Sequence, residues 1–381
     1  MDGLAGVAPP RPEPAGVWSP DGWWGQRFEL VRGGAKGNLV PMEGLRGVAV
    51  ALVFLVHYFT LTERNLVAAG QGTAVLEGIR AIGHTGVDLF FVLSGYLIYG
   101  TLIGRAQGYV GFMARRVRRI YPAFLAVFGI YLVLAIAIPS VGRLPREAWA
   151  ATVYVVQNLL LLPGLWPVEP LVTVAWSLSY EMFFYLVTPV IVGVLGLRQR
   201  TAGTRIALLV AATMALVGYC ALEGGHVRLS MFLAGALLFE CARAWPQRSA
   251  PPALAVAVLV LALALTVQRV DGSAGYALRK LGLYVAFALL CSAAFGRPGA
   301  WLARGLSWTP LRWLGNMSYS YYLIHGLVLS ALATVAGKLF GVVPIAWPAV
   351  LLLMAPVFVL TLAVSALLFL LVERPYSLQK A

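Results

Sequence analysis

The stretch MEGLRGVAVALVFLVHYFTL, residues 42–61, decides the fold class, because it is apolar and long enough to cross a bilayer. It also carries Arg46 near its start and His57 eleven positions later. A helix turns about 100° and rises about 1.5 Å per residue, so these two positions share a face roughly 16 Å apart. The stretch therefore predicts a membrane-spanning helix with Arg46 and His57 on one stripe.

Composition extends this prediction to the whole chain. Its 381 residues are 60% hydrophobic and 12% charged, and the mean hydropathy is positive, which a soluble domain of this size would not tolerate. The sequence predicts an all-α polytopic membrane bundle of about ten transmembrane helices. The apolar segments are approximately 43–62, 86–104, 120–139, 173–195, 206–222, 227–242, 252–268, 277–295, 314–337 and 346–372.

The basic residues are distributed unevenly between these segments. With both termini inside, 20 of the 29 Lys and Arg residues lie in inner segments, and such an excess marks the cytoplasmic side. The apolar stretch 148–162 is predicted not to cross, since crossing would move Arg198, Arg200 and Arg205 outside. Membrane orientation, and not binding of nucleic acid, then explains the net charge of +14.

The predicted organisation has three parts. Residues 1–40 form a flexible cytoplasmic tail, residues 41–376 form the transmembrane domain, and residues 377–381 form a cytoplasmic end. The tail lacks the apolar core of a signal peptide, so no cleavage is expected. The three cysteines lack paired or metal-ligand spacing, so neither a disulfide nor a metal site is expected.

Ionisable side chains inside the predicted spans are the first candidates for function, because each costs about 2.5–3.5 kcal/mol to place in a bilayer. Helix rise places His325 at a depth similar to that of His57, and brings Ser94 and Glu181 toward the same layer. The alternative is that both histidines are structural and hydrogen-bond across helices. Two of only four histidines at matching depth beside Glu181 favour function.

Further polar positions accompany these residues. Ser318 and Tyr322 share a helix face with His325, and Ser177 stands one turn before Glu181. Each could equally be a satisfied structural hydroxyl.

Two residues near the start of the second predicted span have simple structural explanations. Asp88 is suited to a solvated helix start, where the helix dipole favours an acid. Gly95 is suited to close helix packing. Neither identifies a function unaided.

The inner segment FMARRVRRIYP, residues 112–122, contains Arg115, Arg116, Arg118 and Arg119. Such a cluster orients a membrane protein, and it also suits a cytoplasmic polyanion, because each guanidinium can bind a phosphate through two hydrogen bonds. Charge alone leaves both interpretations open.

The chain resembles the acyltransferase-three family of bacterial membrane O-acyltransferases, from about Met42 to Pro375. The resemblance rests on the Arg46 and His57 pair, GVDLFFVLSGYLI, RRVRRIYP, WSLSYEMFFY, LGNMSYSYYLIH, and the closing Glu373 and Pro375. Five motifs in order make it specific. Glu43 departs from the family's usual Asp, and Met182 and Phe183 replace a more polar pair.

The resemblance implies transfer of an acyl group, usually acetyl, from cytosolic acyl-coenzyme A to a hydroxyl, commonly of a glycan. It implies a location in the bacterial cytoplasmic (inner) membrane, acyl-coenzyme A as co-substrate with no bound cofactor, and possible contact with polysaccharide-assembly proteins. Catalysis is assigned to His57, Glu181 and His325, and donor binding to Arg46, Arg115, Arg116 and Arg119. Acceptor contact or structural support is assigned to Asp88, Ser94, Trp176, Ser177, Ser318 and Tyr322.

Several alternatives stay open at this point. The acceptor could be an exopolysaccharide or lipid-linked sugar, another cell-envelope sugar, or a secreted small molecule such as a macrolide. Direct transfer competes with a covalent carrier, Ser94 or Ser177. A proton-coupled transporter would also place histidines and a glutamate inside the membrane, and an inert export scaffold is a third class.

Overall fold

The structure, a computed structural model, describes residues 22–30, 40–138, 144–268 and 272–378. Every regular element in these ranges is helical, which confirms the all-α prediction. The helices are α1 Trp23–Phe28, α2 Val40–Ala68, α3 Ala74–Gly83, α4 Thr85–Gly104, α5 Tyr109–Ala137, α6 Ala148–Leu159, α7 Ala175–Val194, α8 Ala202–Glu223, α9 Ser230–Ala244, α10 Pro252–Val267, α11 Gly272–Gly296, α12 Trp301–Leu306, α13 Thr309–Asn316, α14 Ser318–Phe340 and α15 Trp347–Leu368. A 3₁₀ turn covers Val227–Leu229, and a π-helical segment, Phe369–Leu378, continues α15.

In the described part of the chain, eight helices are long and apolar enough to cross a membrane. One of them is the nearly continuous helix formed by α3 and α4, Ala74–Gly104. Each predicted segment coincides with a helix, but α9 and α10 have only 15 and 16 residues. The polytopic bundle is confirmed, with two of its predicted spans shorter than a full crossing.

Helix α6 occupies the apolar stretch that was predicted not to cross. It has 12 residues, and its rise of about 18 Å falls well short of a hydrocarbon core of about 30 Å. The exclusion of this stretch from the spans therefore agrees with its length.

The predicted tail and the C-terminal end lie largely outside the described residues. Within the tail, residues 23–28 form α1, where the Arg27 guanidinium lies 3.7 Å from the centre of the Trp23 ring. The described residues of the tail belong to one unit of the chain, and those from residue 40 onward belong to a second. The second unit contains every candidate site residue.

Helices α4 and α9 pack backbone against backbone. A Cβ atom added at Gly95 would lie 2.1 Å from the carbonyl oxygen of Phe232, and one added at Gly235 would lie 2.0 Å from that of Val92. Neither space admits a side chain, so close packing explains Gly95, as the sequence suggested. The contact holds α9 beside the middle of α4.

Helix α2 packs against α3 and α4 as well as α13, α14 and α15. At its start, the buried Glu43 pairs with Arg312 of α13 at 2.9 Å. Further along, Phe54 packs on Phe358 with ring centres 4.9 Å apart, and the Tyr58 hydroxyl donates to the Val350 carbonyl at 2.5 Å. The stripe carrying Arg46 and His57 is therefore fixed on several sides.

We expect both termini to be cytoplasmic, and cysteine labelling in intact cells tests this orientation. In a chain whose three native cysteines are replaced by alanine, Pro167→Cys should react with an impermeant maleimide, whereas Arg200→Cys should react only after permeabilisation. Pro167 is chosen over Gly164 of the same loop, because a cysteine at Gly164 would be strained. Gly164 has a φ of 91°, and an added Cβ would lie 2.7 Å from the Trp176 carbonyl oxygen. Labelling of Arg200→Cys in intact cells would reverse the topology.

Candidate active site

His57 of α2 and His325 of α14 lie against each other. Their ring centres are 4.9 Å apart and the rings meet edge to face. His325 is fully buried, and His57 is half-buried. The structure thus brings together the two histidines that helix rise placed at similar depth.

A backbone hydrogen bond fixes the proton on His325. Its Nδ1 lies 2.9 Å from the Tyr321 carbonyl oxygen, which can only accept, so Nδ1 carries the hydrogen. The buried Nε2 then holds a lone pair and has no hydrogen-bond partner among the described residues. A neutral imidazole with a free Nε2 can accept a proton.

Arg46 is bound to the start of α14. Its Nε and Nη2 donate to the Ser318 hydroxyl at 3.1 and 2.9 Å, and its guanidinium lies 5.9 Å from the centre of the Phe90 ring. These contacts orient the guanidinium fork toward the interior of the bundle. Ser318 is therefore an orienting partner of Arg46.

Glu181 of α7 belongs to a separate group of contacts. It accepts hydrogen bonds from the Ser94 hydroxyl at 2.8 Å and from the Tyr185 hydroxyl. The Arg116 guanidinium lies 5.7 Å from the centre of the Tyr185 ring. Glu181 is thus bound to Ser94, which helix rise brought toward the same layer, and through Tyr185 it lies on the side of the arginine cluster.

Tyr322 lies between the two groups. Its hydroxyl lies 2.7 Å from that of Ser177, one helical turn from Glu181, and its ring centre lies 6.1 Å from that of His325. The three predicted residues of α14 that share a face with one another, Ser318, Tyr322 and His325, are all buried. A line of polar side chains, which we call the polar line, runs from Arg116 through Glu181 and Tyr322 to the histidine pair.

The four arginines of α5 have different surroundings. Arg119 pairs with Glu373 at 2.6 Å, and the second oxygen of Glu373 accepts from the Ser320 amide and hydroxyl at 2.9 and 2.5 Å. Arg119 is therefore held by an internal carboxylate that ties α5 to α14.

The remaining arginines lie nearer the surface. Arg115 contacts the Gln107 side chain, and Arg118 donates to the Tyr376 carbonyl at 3.5 Å. Arg116 lies 5.5 Å from the centre of the Phe112 ring, and its Nε has no hydrogen-bond partner among the described residues. Arg115 and Arg116 remain the members of the cluster best placed to bind an anion.

A third group, which sequence reasoning missed, forms around Asp88. This fully buried carboxylate lies 2.5 Å from the Lys280 ammonium and 3.7 Å from Arg228 Nε. The Arg228 guanidinium lies 5.1 Å from the centre of the Trp176 ring. Asp88 is thus a buried ion-pair partner and not a solvated helix-end acid.

The electrostatics of Arg228 follow from that group. A guanidinium keeps its proton in proteins. Arg228 therefore remains positively charged. From the sequence alone, Lys280 and Arg228 are only charges in loops or at span boundaries. No pattern in the sequence indicates that either residue pairs with Asp88.

We expect Arg46→Lys to impair use of the anionic donor. Lysine keeps the charge but cannot place two donors on the Ser318 hydroxyl in a fixed plane, so the apparent KM for acyl-coenzyme A should rise about tenfold, with a smaller change in kcat. Initial rates at varied donor concentration measure this. A lower kcat at unchanged KM would instead assign Arg46 to the chemical step.

Three known proteins are similar to this chain over 64–75% of its length. ExoZ of Rhizobium meliloti, an exopolysaccharide production protein, is 29% identical over 68% of this chain and 80% of its own length. The O-acetyltransferase OatA of Staphylococcus aureus is 28% identical over 75% of this chain and 50% of its own length. YrhL of Bacillus subtilis is 28% identical over 64% of this chain and 44% of its own length.

The chain therefore spans about half the length of YrhL and OatA. No solved structure matches it. A family model described as an acyltransferase domain matches residues 41–370, the same range that holds the histidine pair, the polar line and the arginine cluster. On this match the chain belongs to the acyltransferase 3 family, and its described helices are those of a multi-pass membrane protein.

Proposed function

We propose that this acyltransferase moves an acetyl group from acyl-coenzyme A to a hydroxyl of a glycan. The observation that carries the proposal is the polar line, because its side chains follow one another from a cluster of arginines to a pair of imidazoles through the helical bundle. Arginines bind the phosphates of the donor, and an imidazole is the side chain best matched to removing a proton from a hydroxyl near neutral pH.

In the proposed reaction His57 is the general base. It takes the proton from the acceptor hydroxyl as that oxygen attacks the thioester carbonyl; the carbon–sulfur bond then breaks, and the coenzyme thiolate leaves and receives the proton. A thiolate is a good leaving group, so no protein nucleophile is needed. His325, whose Nε2 is available beside the His57 ring, orients His57 or shares its proton.

The two serines considered as covalent carriers have different surroundings. The Ser177 hydroxyl is bonded to Tyr322, whereas the Ser94 hydroxyl donates to the Glu181 carboxylate. Only Ser94 therefore has a neighbouring base. If labelled acetyl could be trapped on the parent protein but not on Ser94→Ala, the reaction would proceed through an acyl-enzyme and not by direct transfer.

Donor binding is assigned to Arg115, Arg116 and Arg46. Arg119 is given a positioning role, since its guanidinium pairs with Glu373. Because Glu373 also binds the start of α14, this pair would hold the arginine-bearing helix against the helix that carries His325.

We expect Arg116→Ala to weaken binding of acetyl-coenzyme A about tenfold, because it removes one charge-assisted contact to a phosphate. Calorimetry on the detergent-solubilised protein measures this, with Arg304→Ala, an exposed arginine on α12, as matched control. Insertion and yield should not change. Equal donor affinity in Arg116→Ala and the parent would mean that the arginine cluster orients the protein in the membrane and does not bind the donor.

An exopolysaccharide is the first choice of acceptor, because ExoZ is named for exopolysaccharide production and matches this chain over most of its own length. The function as a whole is tested by incubating the purified protein with labelled acetyl-coenzyme A and candidate glycans. Release of free coenzyme with label on the glycan is expected. Proton movement in proteoliposomes without coenzyme release would favour the transporter instead.

A further inference from the structure

The group around Asp88 carries more positive charge than its own carboxylate can balance. Asp88 is the carboxylate that Lys280 and Arg228 share. The side chains of Lys280 and Arg228 are only 5% and 16% exposed. Among the described residues, one unit of positive charge is thus held away from water without a partner charge, which is costly unless an anion joins it.

Arg228 also has unused hydrogen-bonding capacity. Its Nε donates to the Tyr276 hydroxyl at 3.2 Å, while Nη1 is buried and has no partner among the described residues. A guanidinium can bind a phosphate or a carboxylate through two parallel hydrogen bonds. The group therefore has both the charge and the free donor that an oxyanion needs.

Aromatic rings flank these cations. Trp176 lies under the Arg228 guanidinium at 5.1 Å, and the centre of the Tyr276 ring lies 5.5 Å from the Lys280 ammonium. Trp176 is half-buried and Tyr276 is 37% exposed. Amphipathic rings at the rim of a charged site suit a ligand with both apolar and polar faces, such as a sugar.

The position of this group matches the acceptor and not the donor. Asp88 lies in the first turn of α4, and the arginine cluster follows only after α4 has ended at Gly104. Helix α7 begins beside the group at Trp176 and carries Ser177 and then Glu181 away from it. The Asp88 group therefore lies at the end of the bundle opposite the arginine cluster.

We propose that Arg228 and Trp176 form a subsite that binds an oxyanion of the acceptor glycan, and that the natural acceptor is therefore anionic. Lys280 neutralises Asp88, so Arg228 supplies the charge that attracts the ligand. The oxyanion is either the diphosphate of a lipid-linked saccharide or the carboxylate of an acidic sugar. This inference rests on the proposed function for its assignment to the acceptor.

Equilibrium binding to the purified full chain tests the subsite. Three probes are compared: a glucuronate-containing disaccharide, its neutral glucose counterpart, and the same neutral disaccharide linked to a prenyl diphosphate. Each is measured with the parent, Arg228→Gln, and the control Arg146→Gln, an exposed arginine in a different loop. We expect the parent and the control to bind at least one anionic probe about tenfold tighter than the neutral one, and Arg228→Gln to lose that difference.

Equal affinity of the parent for all three probes, or a loss in Arg228→Gln that is equal for all three, would overturn the subsite. If Arg228→Gln fails to fold, Arg228→Lys is measured in its place, since lysine keeps the charge but lacks the planar guanidinium with its two parallel donors. If Arg228→Lys kept both the tenfold preference for the anionic probe and the parent's affinity, binding of the oxyanion by the Arg228 guanidinium would be excluded. The probe that shows the preference identifies the source of the oxyanion. Arg228-dependent anion binding with no release of coenzyme from acetyl-coenzyme A would leave the subsite in place and refute the proposed function.

Discussion

His57→Ala should reduce acyl transfer by about 10²- to 10⁴-fold, the contribution of a well-placed general base, while leaving donor affinity unchanged. His57 contacts the His325 ring and is half-buried, so its removal opens little space in the core. Arg46 is bound to Ser318 and Arg116 lies beside the Tyr185 ring, so both guanidiniums keep these contacts when the His57 side chain is removed. The loss should therefore fall on kcat and not on binding of acetyl-coenzyme A.

The measurement pairs turnover with donor binding on one preparation. Thr60→Ala is the matched control, because this exposed residue lies near His57 on α2 and its hydroxyl bonds only the Val56 carbonyl of its own helix. Near-normal turnover of His57→Ala would refute the assignment. His325 would then be the leading base, since its Nε2 already holds an available lone pair.

The short-range pattern of the sequence located the centre of the site. The spacing of Arg46 and His57 on one helix, and of Ser318, Tyr322 and His325 on another, follows from helical geometry alone. The structure confirms that these faces turn inward, and it brings His57 and His325 into contact. Helix periodicity decides which face a residue occupies, and this is why these predictions succeeded.

Contacts between distant helices could not be predicted in the same way. Asp88 and Lys280 are 192 positions apart, and Glu373 and Ser320 are 53 apart. Both pairs depend on which helices become neighbours and at what height, and hydropathy carries no information on either. Glu181 follows the same rule, because its bond to Ser94 depends on how α7 packs against α4.

The charge count that predicted the topology also included residues with structural roles. Arg205 was counted as an inner-loop charge, yet its side chain is only 7% exposed and it pairs with the fully buried Glu240 at 2.6 Å. The Tyr99 hydroxyl also donates to Glu240, at 2.8 Å. Helices α4, α8 and α9 are thus joined by one buried ionic network, which lies outside the polar line.

Glu240→Ala should destabilise the fold by about 3–5 kcal/mol, because it leaves the buried Arg205 without its counter-charge. Thermal unfolding and gel filtration of the detergent-solubilised protein measure the loss. The double variant Arg205→Met with Glu240→Leu removes both charges and should recover most of the stability, since well-packed apolar residues often replace a buried ion pair without cost. It should also retain acyl transfer, because neither residue contacts the polar line. A stable double variant without activity would show that this ion pair serves the reaction. A stable Glu240→Ala would show that Arg205 is solvated and needs no partner.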